Sequence, residues 1–305
     1  MEELLSRILR DCTPYIAQGT VASYIPELAK AEKNDFGICL VDGDHNVYCV
    51  GECNKRFTMQ SIIKPIILLE ALMDNGPEAV RKLVGVEATG KPFDTFNYSD
   101  RALNAEHINP MVNTGAIALC TLIEGKDYQE KFNRLLDMTR KITGNPDLCV
   151  DERVYLSEKA TGNKNRALVY MLKAYGLIAD NAEDVLDCYF RACSISVSTV
   201  DLAKIARVFA SGGVLENQQE PLFSKEYARY VNAVLMTCGM YDGSGEFALN
   251  VGVPAKSGVG GGIMAVVPNR MGIGIYSPAL DQKGNSVAGI KALEKLSAEL
   301  DLSIF

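Results

Sequence analysis

The chain is 305 residues long, 48% hydrophobic and 23% charged, with 9 cysteines, no tryptophan and 2 histidines. Two histidines leave almost nothing from which to build a histidine-rich zinc site or an imidazole relay, and the composition excludes a disordered, collagenous or disulfide-stapled chain. A net charge of −7, from 38 acidic and 31 basic side chains, sets the electrostatics against nucleic-acid binding.

No apolar run reaches the ~18 residues that would mark a membrane span. The opening Met1-Glu2-Glu3-Leu4-Leu5 carries acids where a signal peptide needs basic residues, so the chain is expected to be non-exported. An odd cysteine count in such a chain implies reduced thiols and a cytoplasmic location. Cys49/Cys53 and Cys188/Cys193 are close in sequence, but neither spacing fits a zinc ribbon or a redox C-x-x-C, so they read as small apolar residues.

In chain order, residues 36–41 and 47–50 flank Asp42-Gly43-Asp44-His45-Asn46, a β-hairpin signal. From about residue 60 to 240 the periodicity is helical, clearest over 65–73, 111–123, 128–143, 166–175, 182–193, 199–210 and 224–238. A second hairpin follows at 262–267 and 271–276 around Pro268-Asn269-Arg270, and a helix at 286–300 closes the chain. Strands at both ends with helices between predict an α+β fold, one antiparallel sheet assembled from the two termini with a helical block inserted. The expected organisation is a single domain, with a sheet part of approximately 1–60 plus 240–305 and a helical part of approximately 61–239. The active site is expected in the seam.

Two phosphate-loop look-alikes fail. Gly85-Val86-Glu87-Ala88-Thr89-Gly90-Lys91-Pro92 puts proline where a P-loop needs a hydroxyl for Mg²⁺. Gly243-Ser244-Gly245-Glu246-Phe247-Ala248 follows a helical pattern rather than a strand. His45 falls in the hairpin turn and His107 in a loop before Asn109-Pro110, neither with a catalytic partner in view.

Thr58-Met59-Gln60-Ser61-Ile62-Ile63-Lys64-Pro65 contains S-x-x-K at the start of an apolar helix. Proline is tolerated only in a first turn, so the helix should begin near Ser61. Positions i and i+3 share a face, bringing the Ser61 hydroxyl to the Lys64 amine. The helix N-terminus and partial burial should disfavour the ammonium, leaving a neutral lysine able to take the serine proton without any histidine. Near the other end, Lys256-Ser257-Gly258 opens a glycine-rich strand-like run, Val259-Gly260-Gly261-Gly262-Ile263. The pairing resembles the S-x-x-K and K-T-G elements of the penicillin-binding and β-lactamase superfamily. Glycines there let the backbone approach a ligand, and a nearby N–H can complete an oxyanion hole.

Longer segments carry a more specific resemblance. Asn109-Pro110-Met111-Val112-Asn113-Thr114-Gly115-Ala116-Ile117, Cys238-Gly239-Met240-Tyr241-Asp242-Gly243-Ser244-Gly245 and Pro254-Ala255-Lys256-Ser257-Gly258-Val259 resemble the serine-dependent glutaminase family. Tyr24-Ile25-Pro26-Glu27-Leu28-Ala29 and Gln60-Ser61-Ile62-Ile63-Lys64 fit it as well, so the likeness runs from about residue 20 to residue 280. It implies a β-lactamase-like fold and hydrolysis of L-glutamine to L-glutamate and ammonia, without metal or organic cofactor. It also implies a homodimer or homotetramer.

By the same resemblance Ser61 is the nucleophile, Lys64 its general base and Tyr241 the hydroxyl that assists proton transfer. The N–H groups of Ser61 and Val259 form the oxyanion hole. Tyr24, Gln60, Asn113, Glu158, Asn165, Tyr189 and Val259 hold the substrate. Glu158 suits an α-ammonium, and Asn113, Asn165, Tyr24 and Tyr189 can donate to an α-carboxylate. Without the resemblance the same residues read as a helix cap (Asn113), a residue preceding a helix (Asn165), a solvated helix end (Glu158) and core tyrosines.

Met111-Val112-Asn113 retains only the asparagine of the superfamily's S-D-N element, and the deacylating glutamate of class A β-lactamases has no counterpart. Those departures argue against a penicillin-recognising hydrolase, which would also require export. A non-catalytic amino-acid sensor is the competing reading from another class, opposed by the intact Ser61, Lys64 and Tyr241. No ankyrin array or long appended domain is seen, so a bare catalytic core is expected.

Overall fold

The computed structural model describes residues 1–90, 108–216 and 218–305; His107, Lys91 and Pro92, singled out above, lie outside them. Chain order begins with α1 (Glu2–Cys12), β1 (Gly37–Val41), β2 (Val47–Gly51), β3 (Phe57–Thr58) and α2 (Lys64–Leu83). The helical block continues through α3 (Asn113–Leu122), α4 (Tyr128–Thr143), α5 (Glu152–Thr161), α6 (Asn163–Ala174) and α7 (Ala182–Cys193). After β4 (Ser196–Val197) come α8 (Thr199–Ala210), α9 (Lys225–Cys238) and α10 (Ser244–Asn250). The chain closes with β5 (Ala255–Ser257), β6 (Gly262–Val267), β7 (Met271–Tyr276) and α11 (Val287–Leu300).

The two hairpins join into one antiparallel sheet, in the order β2-β1-β7-β6-β5. N-terminal β1 pairs with C-terminal β7, Gly37 opposite Tyr276 and Val41 opposite Gly272, which is the assembly expected from the two chain ends. β7 reads Met-Gly-Ile-Gly-Ile-Tyr because its faces meet different neighbours. A Cβ on Gly272 would sit 2.2 Å from the Ala203 carbonyl oxygen, and one on Gly274 2.2 Å from that of Thr199. The backbone of α8 therefore lies directly on the glycine face. Ile273 and Ile275 on the opposite face join a core with Leu5 and Ile8 of α1 and Leu293 and Leu296 of α11. Helices cover both faces, which is why every residue of β1, β6 and β7 is buried.

On the α8 side the helical block has its own core around α2, whose residues from Lys64 to Leu72 are all buried. The helix runs ten residues past the expected end at residue 73, through a kink at Gly76 (φ 75°) where Pro77 restarts it. α4, α7 and α8 match the expected spans to the residue. Each has a polar cap: Asp127 accepts from the Glu130 N–H, Asn181 from Glu183 and Asp184, and Ser198 closes a capping box with Asp201. Among the described residues no helix is long and apolar enough to cross a membrane.

Candidate active site

Ser61 lies in a tight 3-10 turn, Gln60–Ile63, and the α-helix begins only at Lys64. That corrects the expected helix start by three residues. Gln60 takes a left-handed conformation (φ 50°), a sharp entry that the tighter turn absorbs before Pro65 sets the helix. Ser61 and Lys64 remain bound through the turn, since the Lys64 N–H donates to the Ser61 carbonyl.

Ser61 lines a cavity of about 410 Å³ together with Tyr24, Gln60, Asn113, Glu158, Asn165 and Tyr189, within the ~300–1,000 Å³ usual for small-molecule sites. Six of the residues named for substrate or catalysis from the sequence thus share one wall with the serine, though they come from the early loop, α3, α5, α6 and α7. Lys64, Tyr241 and Val259 do not line it; Lys64 connects to it through Asn113, and Tyr241, which lines a neighbouring cavity, contacts Ser61.

Lys64 is fully buried. Its Nζ donates to Asn113 Oδ1 at 2.7 Å and to the Met111 carbonyl at 3.0 Å. Asn113 Oδ1 also accepts from the Tyr189 hydroxyl at 3.3 Å, and Asn113 Nδ2 donates to Asn165 Oδ1 at 2.9 Å. Lys64, Asn113, Tyr189 and Asn165 therefore form one polar chain, which fixes the rotamers of all four.

Tyr241 opens a short 3-10 turn with φ 53°. Burial pushes its hydroxyl pKa up, opposed by hydrogen bonding with the Ser61 hydroxyl and the Val259 backbone. Val259 follows β5, and two glycines bring it to the serine. A Cβ on Gly258 would meet the Met59 carbonyl oxygen at 2.7 Å, and one on Gly260 the Thr58 carbonyl oxygen at 2.8 Å. No other residue lets these two backbones come so close.

Glu158 is 6% exposed and so is not a solvated helix end. It sits on α5, which Asp151 caps through the N–H groups of Arg153 and Val154. Burial raises its pKa to about 8, against a hydrogen bond from Gln60 and the charge of Lys64, which lower it. Its Oε2 is buried and has no hydrogen-bond partner among the described residues, an expensive state for a carboxylate unless a ligand supplies a donor. Asn165 is inside the first turn of α6 rather than before it, because Gly162 ends α5 and the chain re-enters helix at once. Asn113 is likewise the first residue of its helix, with Val112 as the cap. Tyr189 is buried as a core tyrosine would be, but its hydroxyl serves the Asn113 network, while Tyr24 is 57% exposed at the rim.

Two residues of the site were given no role in the sequence reading. Cys193 lines the cavity next to Tyr189, and burial drives its thiol pKa well up. Lys256 is fully buried; its Nζ donates to the carbonyls of Gly239 and Ser257 and sits 4.3 Å over the Tyr241 ring. Burial, with Lys64 nearby, holds its pKa well below the ordinary lysine value. Its place in a K-T-G-like element was the available signal. Among the described residues no group of three or more His, Cys, Asp or Glu is arranged to hold a metal ion.

A family pattern described as Glutaminase matches residues 19–305. The chain is 52% identical over 304 residues to a glutaminase of Clostridioides difficile, covering 100% of this chain and 98% of that one. It is 50% identical over 305 residues to glutaminase 2 of Clostridium perfringens, covering 100% of both. Among solved structures, the Bacillus subtilis glutaminase YbgJ in covalent complex with 5-oxo-L-norleucine, formed from 6-diazo-5-oxo-L-norleucine, superposes with a TM-score of 0.91 at 36% identity, over 100% of this chain and 99% of that one. The probable glutaminase ybaS gives 0.92 at 34%, over 100% and 99%. The α+β, β-lactamase-like fold expected from the sequence is the fold of these structures. With the pattern running from residue 19 to the last residue and the relatives matched end to end, the chain belongs to the glutaminase family.

Proposed function

We propose that the protein hydrolyses the side-chain amide of L-glutamine to L-glutamate and ammonia, through an acyl-enzyme on Ser61 with Lys64 as general base. The observation that carries this reading is a serine that shares a cavity with a Glu158 oxygen lacking a partner among the described residues, with the buried Lys64 hydrogen-bonded to Asn113 of the same cavity. A neutral lysine amine keeps two N–H bonds, matched by the Met111 and Asn113 oxygens, and one lone pair for the serine proton. Ser61 Oγ attacks the carboxamide carbon, and the N–H groups of Ser61 and Val259 hold the oxyanion. Tyr241, in contact with both Ser61 and Val259, passes the proton to the departing ammonia. Water then resolves the γ-glutamyl ester, with Lys64 again as base.

Substrate recognition follows the cavity's charges. Glu158 Oε2 takes the α-ammonium, and the amides of Asn113 and Asn165 with the hydroxyls of Tyr24 and Tyr189 take the α-carboxylate, Tyr189 turning its single O–H from Asn113 Oδ1 to do so. Gln60, hydrogen-bonded to Thr58 Oγ1 at 3.2 Å and to Glu158, holds the Glu158 carboxylate from the serine side. The Bacillus subtilis relative's reaction with a diazoketone shaped like glutamine supports this class of substrate. Incubation with L-glutamine should release ammonia and glutamate in equal amounts. Ser61→Ala and Lys64→Ala should each abolish turnover, and a near-normal rate in Ser61→Ala overturns the assignment. The reading also carries a cytoplasmic enzyme working as a single catalytic domain in a homodimer or homotetramer, which light scattering on the purified protein tests.

A further inference from the structure

The sequence draws attention to Cys49 and Cys53, but the fold sets Cys49 against a different cysteine. Cys39 on β1 and Cys49 on β2 are direct partners across the antiparallel ladder, and their sulfurs are 2.9 Å apart. That separation is inside the contact distance of two unbonded sulfurs.

The ladder itself accounts for the closeness. The Glu52 N–H donates to the Phe36 carbonyl, and the Asp42 N–H to that of Asn46, so 36/52 and 42/46 are hydrogen-bonded pairs. Counting inward by alternation, 38/50 and 40/48 are hydrogen-bonded pairs and 39/49 is a non-hydrogen-bonded one. Such pairs hold their Cα atoms ~4.5 Å apart with the side chains at their nearest, inside the ~4.4–6.8 Å span that a disulfide requires. Closing the bond asks only for side-chain rotation.

Access and competition also select this pair. Cys39 is fully buried beneath α8, beside Val41 and Ala203, whereas Cys49 is partly exposed. Cys53 is the third thiol of the cluster and also interacts with Cys49, but it is not the ladder partner of Cys49, and its proton is engaged by the carbonyls of Ile38 at 3.1 Å and Val50 at 3.0 Å. None of the three lines the Ser61 cavity.

We propose that Cys39 and Cys49 form a reversible redox site, converted to a cross-strand disulfide by a low-molecular-weight disulfide entering at Cys49. The Cys49 thiolate attacks one sulfur of the reagent, forming a mixed disulfide and expelling one thiolate. The Cys39 sulfur then attacks the Cys49 sulfur and expels the second. The two cysteine protons end on the two released thiols, the protein loses two electrons, and the reagent is reduced by two. The apolar surroundings favour a small neutral reagent. The interaction with Cys39 pushes the Cys49 thiol pKa up to about 12, so thiolate is scarce near neutrality and the exchange is slow.

The test uses the full chain with Cys149→Ser, which removes the exposed thiol, and hydroxyethyl disulfide as the probe. Peptide mapping of the folded protein should find Cys39 joined to Cys49, with two equivalents of mercaptoethanol released and the link undone by dithiothreitol. Closing so short a loop should raise the melting temperature by roughly 4 °C. In Cys39→Ser the mixed disulfide should persist on Cys49, because its resolving thiol is gone. A mixed disulfide that persists on Cys49 with Cys39 present, a Cys49–Cys53 link, or an unreacted Cys49 each overturns the proposal.

Discussion

Glu158 gives the sharpest test, because it makes the proposed substrate pocket a liability when empty. Its pKa of about 8 means that at pH 7 roughly one free enzyme in ten carries the carboxylate, and at pH 6 roughly one in a hundred. If the α-ammonium binds only to the ionised form, kcat/KM should climb about tenfold per pH unit below 8 and level off above it. Glu158→Gln keeps the shape and removes the charge. Losing one partner of a buried charged pair costs roughly 2–5 kcal/mol. At pH 7 the wild-type enzyme already forfeits roughly 1 kcal/mol of that to ionise the carboxyl. The variant's deficit in kcat/KM should therefore be about tenfold smaller at pH 7 than at pH 9.

Stability should move the other way. The folded state raises this pKa above its unfolded value, so it holds the proton more tightly and loses stability as pH rises from about 4.5 to about 8. The loss approaches roughly 3–5 kcal/mol above that window. Glu158→Gln should melt at the wild-type temperature near pH 4.5 and higher than wild type at pH 8. Steady-state kinetics from pH 6 to 9, paired with thermal melts over pH 4.5 to 8, provides both readouts. A variant with wild-type KM at pH 9, or one less stable than wild type at pH 8, refutes the reasoning.

Two further outcomes concern the wall behind the serine. Lys256→Met should keep a folded protein, since a packed apolar side chain replaces a buried ammonium without strain. It takes the Lys256 donor from the Ser257 carbonyl and leaves the Gly239 carbonyl only the Ser257 N–H at 3.2 Å, two residues before Val259 and Tyr241 respectively, and kcat should fall about 100-fold with KM little changed; an unaltered kcat would show that Lys256 does not position Tyr241 and Val259. Gly260→Ala places a methyl 2.8 Å from the Thr58 oxygen and must push the Val259 N–H away from Ser61. Oxyanion geometry tolerates only ~0.5 Å, so kcat should drop roughly 10- to 100-fold in the same steady-state assay. A wild-type kcat would exclude Val259 from the oxyanion hole.

The two hairpins were legible because apolar runs bounded by turn residues act locally: β6 and β7 have the bounds that the sequence predicts. Three helices, α1, α5 and the short α10, were missed, the first two for opposite reasons. α1 does carry a signal, with Leu5, Ile8 and Cys12 at helical spacing and all buried, but a short polar segment next to the acidic N-terminus masked it. α5 buries Val154, Tyr155 and Glu158, so a carboxylate occupies the place where the hydrophobic pattern needs an apolar residue. The residue that blurs the helix is the one proposed to bind the ammonium, and local rules are expected to fail at such sites. The convergence of Asn113, Glu158, Asn165 and Tyr189 on one cavity was not readable from spacing. Those residues come from four helices, and only the resemblance linked them.

The scarcity of histidine then has a physical counterpart in what the core is made to hold. Two lysines, Lys64 and Lys256, are fully buried, and Lys64 influences the titration of both Lys256 and Glu158. Both nitrogens donate to backbone or amide carbonyl oxygens, acceptors that carry no formal charge of their own. A carboxylate partner would instead hold the lysine protonated and useless as a base. The acid of the site is placed away from the lysines' hydrogen bonds, with one oxygen left open to the cavity. In the proposed mechanism lysine takes the place of imidazole, with backbone and amide oxygens receiving the N–H bonds of its buried nitrogen.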